Sequence, residues 1–260
     1  MSSKKNNRLD KIIKMLMAQN GITVHEFSEN LDVSEITIRR DLQALESAGK
    51  VRLINGVAIY CSSRTERPIY PAYNLEYECT VFQKKKERIG KKAASLIAEN
   101  DIIALDCGST TEYLAQNLPD DRRFTILTGS MNVLRHASGH PDCSVICTGG
   151  YLHPSTQLFS SPEGISLIRH TSINKAFFSA SSIADNLNAT CIAAYEVDYK
   201  SAVLAKSQQN ILLVDSSKFG KSFFRSFARL SDFDVVITDD ELSPKWRDQI
   251  QEAGLTLYLV

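Results

Sequence analysis

Four polar turns hold the residues of this 260-residue chain best suited to chemistry. The first is Asp106-Cys107-Gly108-Ser109-Thr110-Thr111, set between an apolar run and a helical segment. Glycine lets the backbone approach an anion, while hydroxyls and amides at a helix start donate to it. An ordinary helix-capping turn has the same composition, so both readings stand. The others are Thr128-Gly129-Ser130, Thr148-Gly149-Gly150 and Asp215-Ser216-Ser217-Lys218-Phe219-Gly220. Lys218 adds a mobile cation of the kind that meets phosphate. Asp106, Glu196 and Lys218 are also the residues an enzyme would use as acid and base. Carboxylates serve equally as hydrogen-bond acceptors.

A second chemistry lies near the start, in Val33-Ser34-Glu35-Ile36-Thr37-Ile38-Arg39-Arg40-Asp41-Leu42. Ser34 is a good N-cap, and Val33 and Ile38 have the spacing of a hydrophobic staple. Ile38, Leu42 and Leu45 give one apolar stripe at i, i+4, i+7. The other face carries Glu35, Thr37, Arg39, Arg40 and Gln43, which with Ser34 suit phosphate contact and base-edge reading. A plain solvated helix face is the alternative.

These residues need elements to position them. Leu9, Ile12, Ile13 and Leu16 predict a helix from Arg8 to a cap at Gly21, after a frayed polar stretch over residues 1–7. Thr23-Val24-His25-Glu26 is a capping box opening a second short helix, with Phe27 and Leu31 inward and His25 at the surface. Only Asp32 and Val33 separate it from the third helix, which is helix-turn-helix spacing. Gly49 ends the third helix, and Asn55-Gly56 between two β-prone runs is a strong hairpin signal. Residues 1–60 therefore read as a winged helix-turn-helix, with Arg52 on the wing near a DNA backbone.

Residues 61–80 contain Pro68 and Pro71 without periodicity and read as a linker, or as irregular structure packed on the second domain. Lys84–Ala98 reads as a helix with Ile89, Ala93, Leu96 and Ile97 inward. Its lysines read as a solvated face, or, for residues 84–86, as DNA contacts. From 81 to 260, short apolar runs alternate with helical segments. Strands are expected at 102–105, 125–127, 144–147, 176–179, 211–214, 235–238 and 256–260. Helices are expected at 111–117, 131–137, 162–170, 197–206 and 244–253. This alternation predicts a largely parallel α/β sheet, whose ligands bind beyond the carboxyl ends of the strands. The four polar turns fall at those ends.

Composition sets the bounds. At 43% hydrophobic and 23% charged residues the chain can bury sizeable cores, and its length suits two domains. Net charge is zero, but its distribution is uneven: +2 over residues 1–60, +4 over 61–92 and −6 over 93–260. A basic front joined to an acidic back points to a nucleic-acid end. Six cysteines form no CxxC pair, so reduced and mostly buried thiols are expected rather than zinc ligands. No signal peptide or membrane-length apolar run is present, which predicts a cytoplasmic protein.

The first 60 residues resemble the DNA-binding domain of the DeoR family of bacterial sugar-operon repressors. The resemblance rests on Val33-Ser34, the run Thr37-Ile38-Arg39-Arg40-Asp41-Leu42, Leu45-Glu46 and Gly49. Ile54-Asn55-Gly56 departs from the family's Arg and His-Gly-Gly turn. The remainder is similar to the family's effector domain at Lys86-Glu87-Arg88-Ile89-Gly90, Asp106–Thr111, Gly149-Gly150, Glu196 with Lys200, and Asp215–Gly220. Thr128-Gly129-Ser130 stands where the family has Thr-Asn-Ser, and Ser179-Ala180-Ser181-Ser182 where it has a glycine-rich turn. That domain is similar in fold to ribose-phosphate isomerases and CoA transferases.

The resemblance implies that Gly108, Ser109, Thr110 and Thr111 cradle a phosphate, with Lys218 close by. Asp106, Ser130, Gly149, Gly150, Glu196 and Lys200 complete the expected effector site over residues 81–260. It also implies a homodimer or homotetramer. The leading expectation is a repressor of a carbohydrate-utilisation operon, controlled by a phosphorylated sugar or related metabolite. Its partners are double-stranded operator DNA and that metabolite, and no catalytic residue, metal, cofactor or membrane contact is expected. The alternatives are a sugar-phosphate isomerase-like enzyme with an appended DNA-binding domain, and a module that answers to protein partners through a vestigial pocket.

Overall fold

The computed structural model describes residues 2–18, 22–47, 50–54, 57–60, 73–223 and 225–260, with residues 2–7, 17, 18, 52–54, 57, 59 and 60 described by backbone alone. The chain divides into two units, Met1–Pro71 and Ala72–Val260.

The first unit runs α1 (Ser2–Ala18), β1 (Ile22–Thr23), α2 (Val24–Leu31), α3 (Glu35–Ser47), β2 (Val51–Ile54) and β3 (Val57–Tyr60). Helix α1 starts at Ser2 rather than Arg8. Its first residues are polar all round, so they add helix without adding to the apolar repeat. The capping box of α2 is present in full: Thr23 Oγ1 accepts from the Glu26 amide, and Glu26 accepts from the Thr23 amide. Ile12, Leu16, Phe27, Ile38, Leu42 and Leu45 meet in one core. Strands β2 and β3 pair antiparallel, and β1, too short to leave a pattern, joins the far side of β3. The unit is a winged helix-turn-helix. The expected features at Gly21, Gly49 and Asn55-Gly56 lie outside the described residues.

The second unit opens with α4 (Leu75–Thr80) and α5 (Gln83–Ala94), followed by β4 (Ile102–Leu105), α6 (Ser109–Ala115), β5 (Phe124–Thr128), α7 (Met131–Ala137) and β6 (Cys143–Cys147). A hairpin of β7 (Tyr151–His153) and β8 (Leu158–Ser160) precedes α8 (Pro162–Arg169) and β9 (Ile173–Ser179). Next come β10 (Ser182–Ile183), β11 (Asn188–Cys191), α9 (Ala194–Leu204), β12 (Ser207–Leu213), β13 (Arg225–Arg229), β14 (Val235–Thr238), α10 (Pro244–Glu252) and β15 (Thr256–Leu259).

Seven strands form one parallel sheet in the order β15-β14-β12-β9-β4-β5-β6. Its two faces are covered by different helices, as a parallel sheet requires. Phe177 and Ile211 pack on the α5–α7 side, while their neighbours Phe178 and Leu212 pack on the α8–α10 side. That alternation is the two-residue period of a strand. A small antiparallel sheet, β10-β11-β13, sits beside it and was not legible from the pattern.

Three expectations are corrected here. The linker expected at 61–80 is helical over Leu75–Thr80, and α4 is tied to the second unit by Tyr113, whose hydroxyl donates to Cys79 O at 2.9 Å. Lys86 is fully buried rather than on a solvated face, because it falls on the apolar stripe of α5 with Ile89 and Ala93. Among the described cysteines Cys107 and Cys191 are buried, Cys79 and Cys143 are half-buried and Cys147 is exposed. No helix among the described residues is long and apolar enough to cross a membrane.

Candidate functional site

The outward face of α3 is set by what lies under it. Ile38, Leu42 and Leu45 are buried, and so is Asp41, which accepts from the Arg8 guanidinium. Diametrically opposite, at i, i+4 and i+7, stand Ile36, Arg40 and Gln43. Ile36 is 81% exposed, an apolar side chain at the centre of a polar face, and the sequence reading passed over it. Arg39 and Thr37 flank this stripe. Glu35 lies 3.3 Å from His25 Nδ1 and 3.6 Å from Arg39 Nη2, so it orients its neighbours. Ser34 Oγ accepts from the Thr37 amide at 3.4 Å. Arg52 lies on β2 opposite Ile59.

The second site is a pocket at the carboxyl ends of β4, β9 and β12. Gly108, Ser109 and Thr110 from the turn after β4 line it, with Ser179, Ser181, Glu196, Lys200 and Lys218. Gly108 adopts φ 152°. A Cβ there would stand 2.1 Å from Ser179 Oγ, so only glycine fits. The first amides of α6 have no acceptor within the helix, and Gly108 brings no side chain to cap them.

Behind the pocket lies a buried charge network. Asp106 Oδ2 accepts from the Ser179 amide at 3.0 Å, from Ser179 Oγ at 3.2 Å and from Lys200 Nζ. Lys200 also donates to Ser179 O at 3.0 Å. Burial alone would lower the Lys200 pKa, but the Asp106 carboxylate, then Cys107 and Glu196, hold it above the usual lysine range. Glu196 caps α9 by accepting from the Ala193 amide at 3.0 Å. Burial raises its carboxyl above the ordinary value, against the opposing pull of Lys200.

Several expected site residues are placed elsewhere. Thr111 is fully buried and its one hydroxyl proton is shared between Asp106 O and Gly108 O, each at 2.9 Å, so it braces the turn from behind. Asp106 faces Ser179 and Lys200 and does not line the pocket. Ser130 is fully buried against Asn132, whose amide reaches Gly108 O at 3.5 Å. Gly149 and Gly150 form the left-handed turn into the β7–β8 hairpin, away from the pocket lining.

Two lining residues come from the stretch read as linker. Glu78 Oε2 accepts from Lys218 Nζ at 3.1 Å, and the Glu78 carbonyl accepts from buried Lys86. Burial holds the Tyr73 phenol well above its usual range, and Cys107, Glu196 and Glu78 add to the effect. Tyr73 lines the pocket with Glu78. No spacing rule ties Glu78 to Lys218, and only the two-residue reach from Tyr73 to the Leu75 helix start could have hinted at order here.

A winged helix-turn-helix with a polar recognition face, joined to a parallel α/β unit with a buried polar pocket, defines a DNA-binding regulator with a sensor domain. The comparisons agree. The family model for the DeoR-like helix-turn-helix domain matches residues 8–64, and that for the DeoR C terminal sensor domain matches residues 81–240. The chain belongs to the DeoR family of transcriptional regulators. It is 31% identical to the HTH-type transcriptional regulator GolR of Listeria innocua, over 95% of this chain and 96% of the relative. It is 32% identical to a lactose phosphotransferase system repressor of Staphylococcus epidermidis, covering 91% and 92%. The deoxyribose operon repressor of Escherichia coli is 27% identical, covering 92% of each. Among solved structures, ribose 5-phosphate isomerase A of Methanocaldococcus jannaschii is similar with a TM-score of 0.39 and 16% identity, over 53% of this chain and 54% of that one.

Proposed function

We propose that this regulator represses a carbohydrate-utilisation operon and that a phosphorylated sugar or related metabolite, bound between the Gly108–Thr110 turn and Lys218, weakens its hold on DNA. The observation that carries the reading is the meeting of Lys218 with that turn in one pocket, across more than a hundred residues of sequence. Uncapped amides and one cation suit a dianion. Serines 179 and 181 and Glu196 suit sugar hydroxyls. The names of the lactose and deoxyribose repressors support a carbohydrate operon.

Operator contact falls to Ile36, Arg40 and Gln43 at the centre of α3, with Ser34, Glu35, Thr37 and Arg39 around them and Arg52 on the wing. One such unit covers only about 600–1,000 Å² of DNA contact, which favours a homodimer or homotetramer on repeated half-sites. Such a protein works in the cytoplasm, where operator DNA is. An isomerase gains little support, because Asp106 is held by Ser179 and Lys200 outside the pocket lining and the curated relatives are transcriptional regulators.

The test is operator binding by fluorescence anisotropy, on DNA selected in vitro by the wild-type protein, titrated with a panel of sugar phosphates. A coupling of about 1–3 kcal/mol shifts operator affinity about 5–150-fold. Lys218→Ala is expected to bind operator normally and to lose most of that shift. If both proteins respond alike to the same ligand, the site lies elsewhere.

A further inference from the structure

The pocket is nearly full. Its free volume is about 20 Å³, room for about one water, whereas small-molecule sites span about 300–1,000 Å³. Two of the residues that close it, Tyr73 and Glu78, come from the segment that leads into and forms α4. Glu78 is a carboxylate on the very lysine expected to hold a phosphate, at 3.1 Å. Its position is secured by α4, through buried Lys86 on its carbonyl, and through Cys79, whose thiol donates to Glu112 at 3.0 Å and whose carbonyl accepts from Tyr113. Asn74 caps α4 by accepting from the Tyr77 amide at 3.1 Å, which fixes Tyr73 just ahead of it.

We infer that Tyr73 and Glu78 form an internal stand-in for the effector, Glu78 taking the place of its phosphate and Tyr73 the place of its sugar, and that the effector binds by expelling them. This inference rests on the phosphate reading of the pocket. A phosphate dianion on Lys218 takes the space held by the Glu78 carboxylate at 3.1 Å, and its two charges repel that carboxylate. A phosphate dianion on Lys218 therefore drives Glu78 out, and α4 with it. In sequence, α4 comes directly after the residues that lead from the DNA-binding unit. Displacement of α4 thus acts at the end of the second unit that follows the DNA-binding unit in sequence. The differential affinity this requires is built in, because the ligand binds only the state with α4 released.

Phosphate titrations on the full-length protein test this, with inorganic phosphate as the probe and binding followed by calorimetry. Hydrogen exchange of residues 73–81 is read in parallel. In wild type, phosphate is expected to speed exchange in that segment as it binds. Glu78→Gln keeps the shape of the side chain and removes its charge. It is expected to exchange fast there without phosphate, and to bind phosphate about 10-fold more tightly, as when a binding-competent state rises from about one-tenth occupancy to full. Glu78→Asp is expected to return towards wild type. If phosphate binds wild type and Glu78→Gln with equal affinity and leaves exchange of 73–81 unchanged, the stand-in is wrong while the site survives. If Lys218→Ala binds phosphate as wild type does, or if neither wild type nor Glu78→Gln binds it, the pocket reading itself falls.

Discussion

Ser179 donates twice to the same oxygen of Asp106, through its amide at 3.0 Å and its hydroxyl at 3.2 Å. The contact ties the end of β9 to the end of its neighbour β4 and sets Ser179 Oγ directly over Gly108. The single hydroxyl proton of Ser179 is shared with Cys107 O, the nearer acceptor at 2.6 Å, which closes the turn on itself. Gly108→Ala therefore faces two separate penalties, the collision with Ser179 and a φ that disfavours any side chain, each costing about 1–3 kcal/mol. The single variant is expected to melt several degrees below wild type. Ser179→Gly removes the collision but also the hydroxyl contacts to Asp106 and Cys107, so Gly108→Ala is expected to cost less in the Ser179→Gly background than in wild type, while the φ penalty remains. Thermal melts of wild type, the two single variants and the double variant check this, and a Gly108→Ala protein as stable as wild type would contradict the geometry of the turn.

A pH-dependent cost is expected from Glu196. Burial raises its folded pKa above the ordinary 4.5, with Asp106 adding to the rise. The folded state therefore holds this proton more tightly than the unfolded state. Its contribution to stability is full below pH 4.5 and is lost as pH rises through the folded value. Glu196→Gln keeps an acceptor for the Ala193 amide and removes the ionisation. Its melting temperature is expected to exceed that of wild type near neutral pH, with the gap closing on acidification towards the ordinary carboxylate range. A gap independent of pH would assign the effect to packing instead.

The two arginines of α3 are expected to behave differently. Arg40 shares the outward stripe with Ile36 and Gln43, whereas Arg39 stands to one side, paired with Glu35. Arg40→Ala is expected to cost about 1–3 kcal/mol and to relax preference at one base pair. Arg39→Ala is expected to weaken all sequences alike and to lower the salt slope by about one. Ile36 at the centre of the stripe suits a thymine methyl. Replacing single thymines of the selected operator by deoxyuridine is expected to cost wild type about 0.8 kcal/mol at one position per half-site. Ile36→Ala is expected to be indifferent to the same change. Equal sensitivity in the two proteins would remove Ile36 from the contact surface.

Arg8 and Asp41 join α1 to α3 across the core of the first unit, and the pair raises the Arg8 pKa through a direct hydrogen bond. Asp41 is almost wholly buried. Asp41→Ala is expected to cost about 1–3 kcal/mol, because it leaves the guanidinium without its acceptor. Hydrogen exchange is expected to rise across α1 and α3 while the second unit stays unchanged. Uniform loss of protection in both units would show that the pair does more than hold the first.

Legibility in the sequence tracked periodicity. Ile102–Leu105 and Val235–Thr238 are strands with the expected bounds, because both faces of a central parallel strand are apolar and the run is continuous. The capping box at Thr23 and Glu26 was readable because its partners are three residues apart. Two-residue strands such as Ser182–Ile183 carry no pattern to read. Lys86 was misplaced by its charge, though its spacing from Ile89 and Ala93 put it on the buried stripe. The pocket was half legible. Gly108 and Lys218 announce themselves by type, but Thr111, of the same type as Thr110, turns inward by the rotation of one helical residue. Glu78 gave no sign at all, since its partner lies 140 positions away.

Those long separations also set an order in time. Asp106 meets Ser179 across 73 positions and Lys200 across 94. The strand that leads into Asp106 lies between β5 and β9, so it stays half unpaired until β9 has left the ribosome. The first unit closes on contacts within its own few dozen residues, and local contacts form fast. At synthesis rates of about 5–20 residues per second, about ten to thirty seconds separate its completion from the emergence of Lys218. Each new molecule thus holds a finished DNA-binding unit well before Lys218 can join the Gly108 turn.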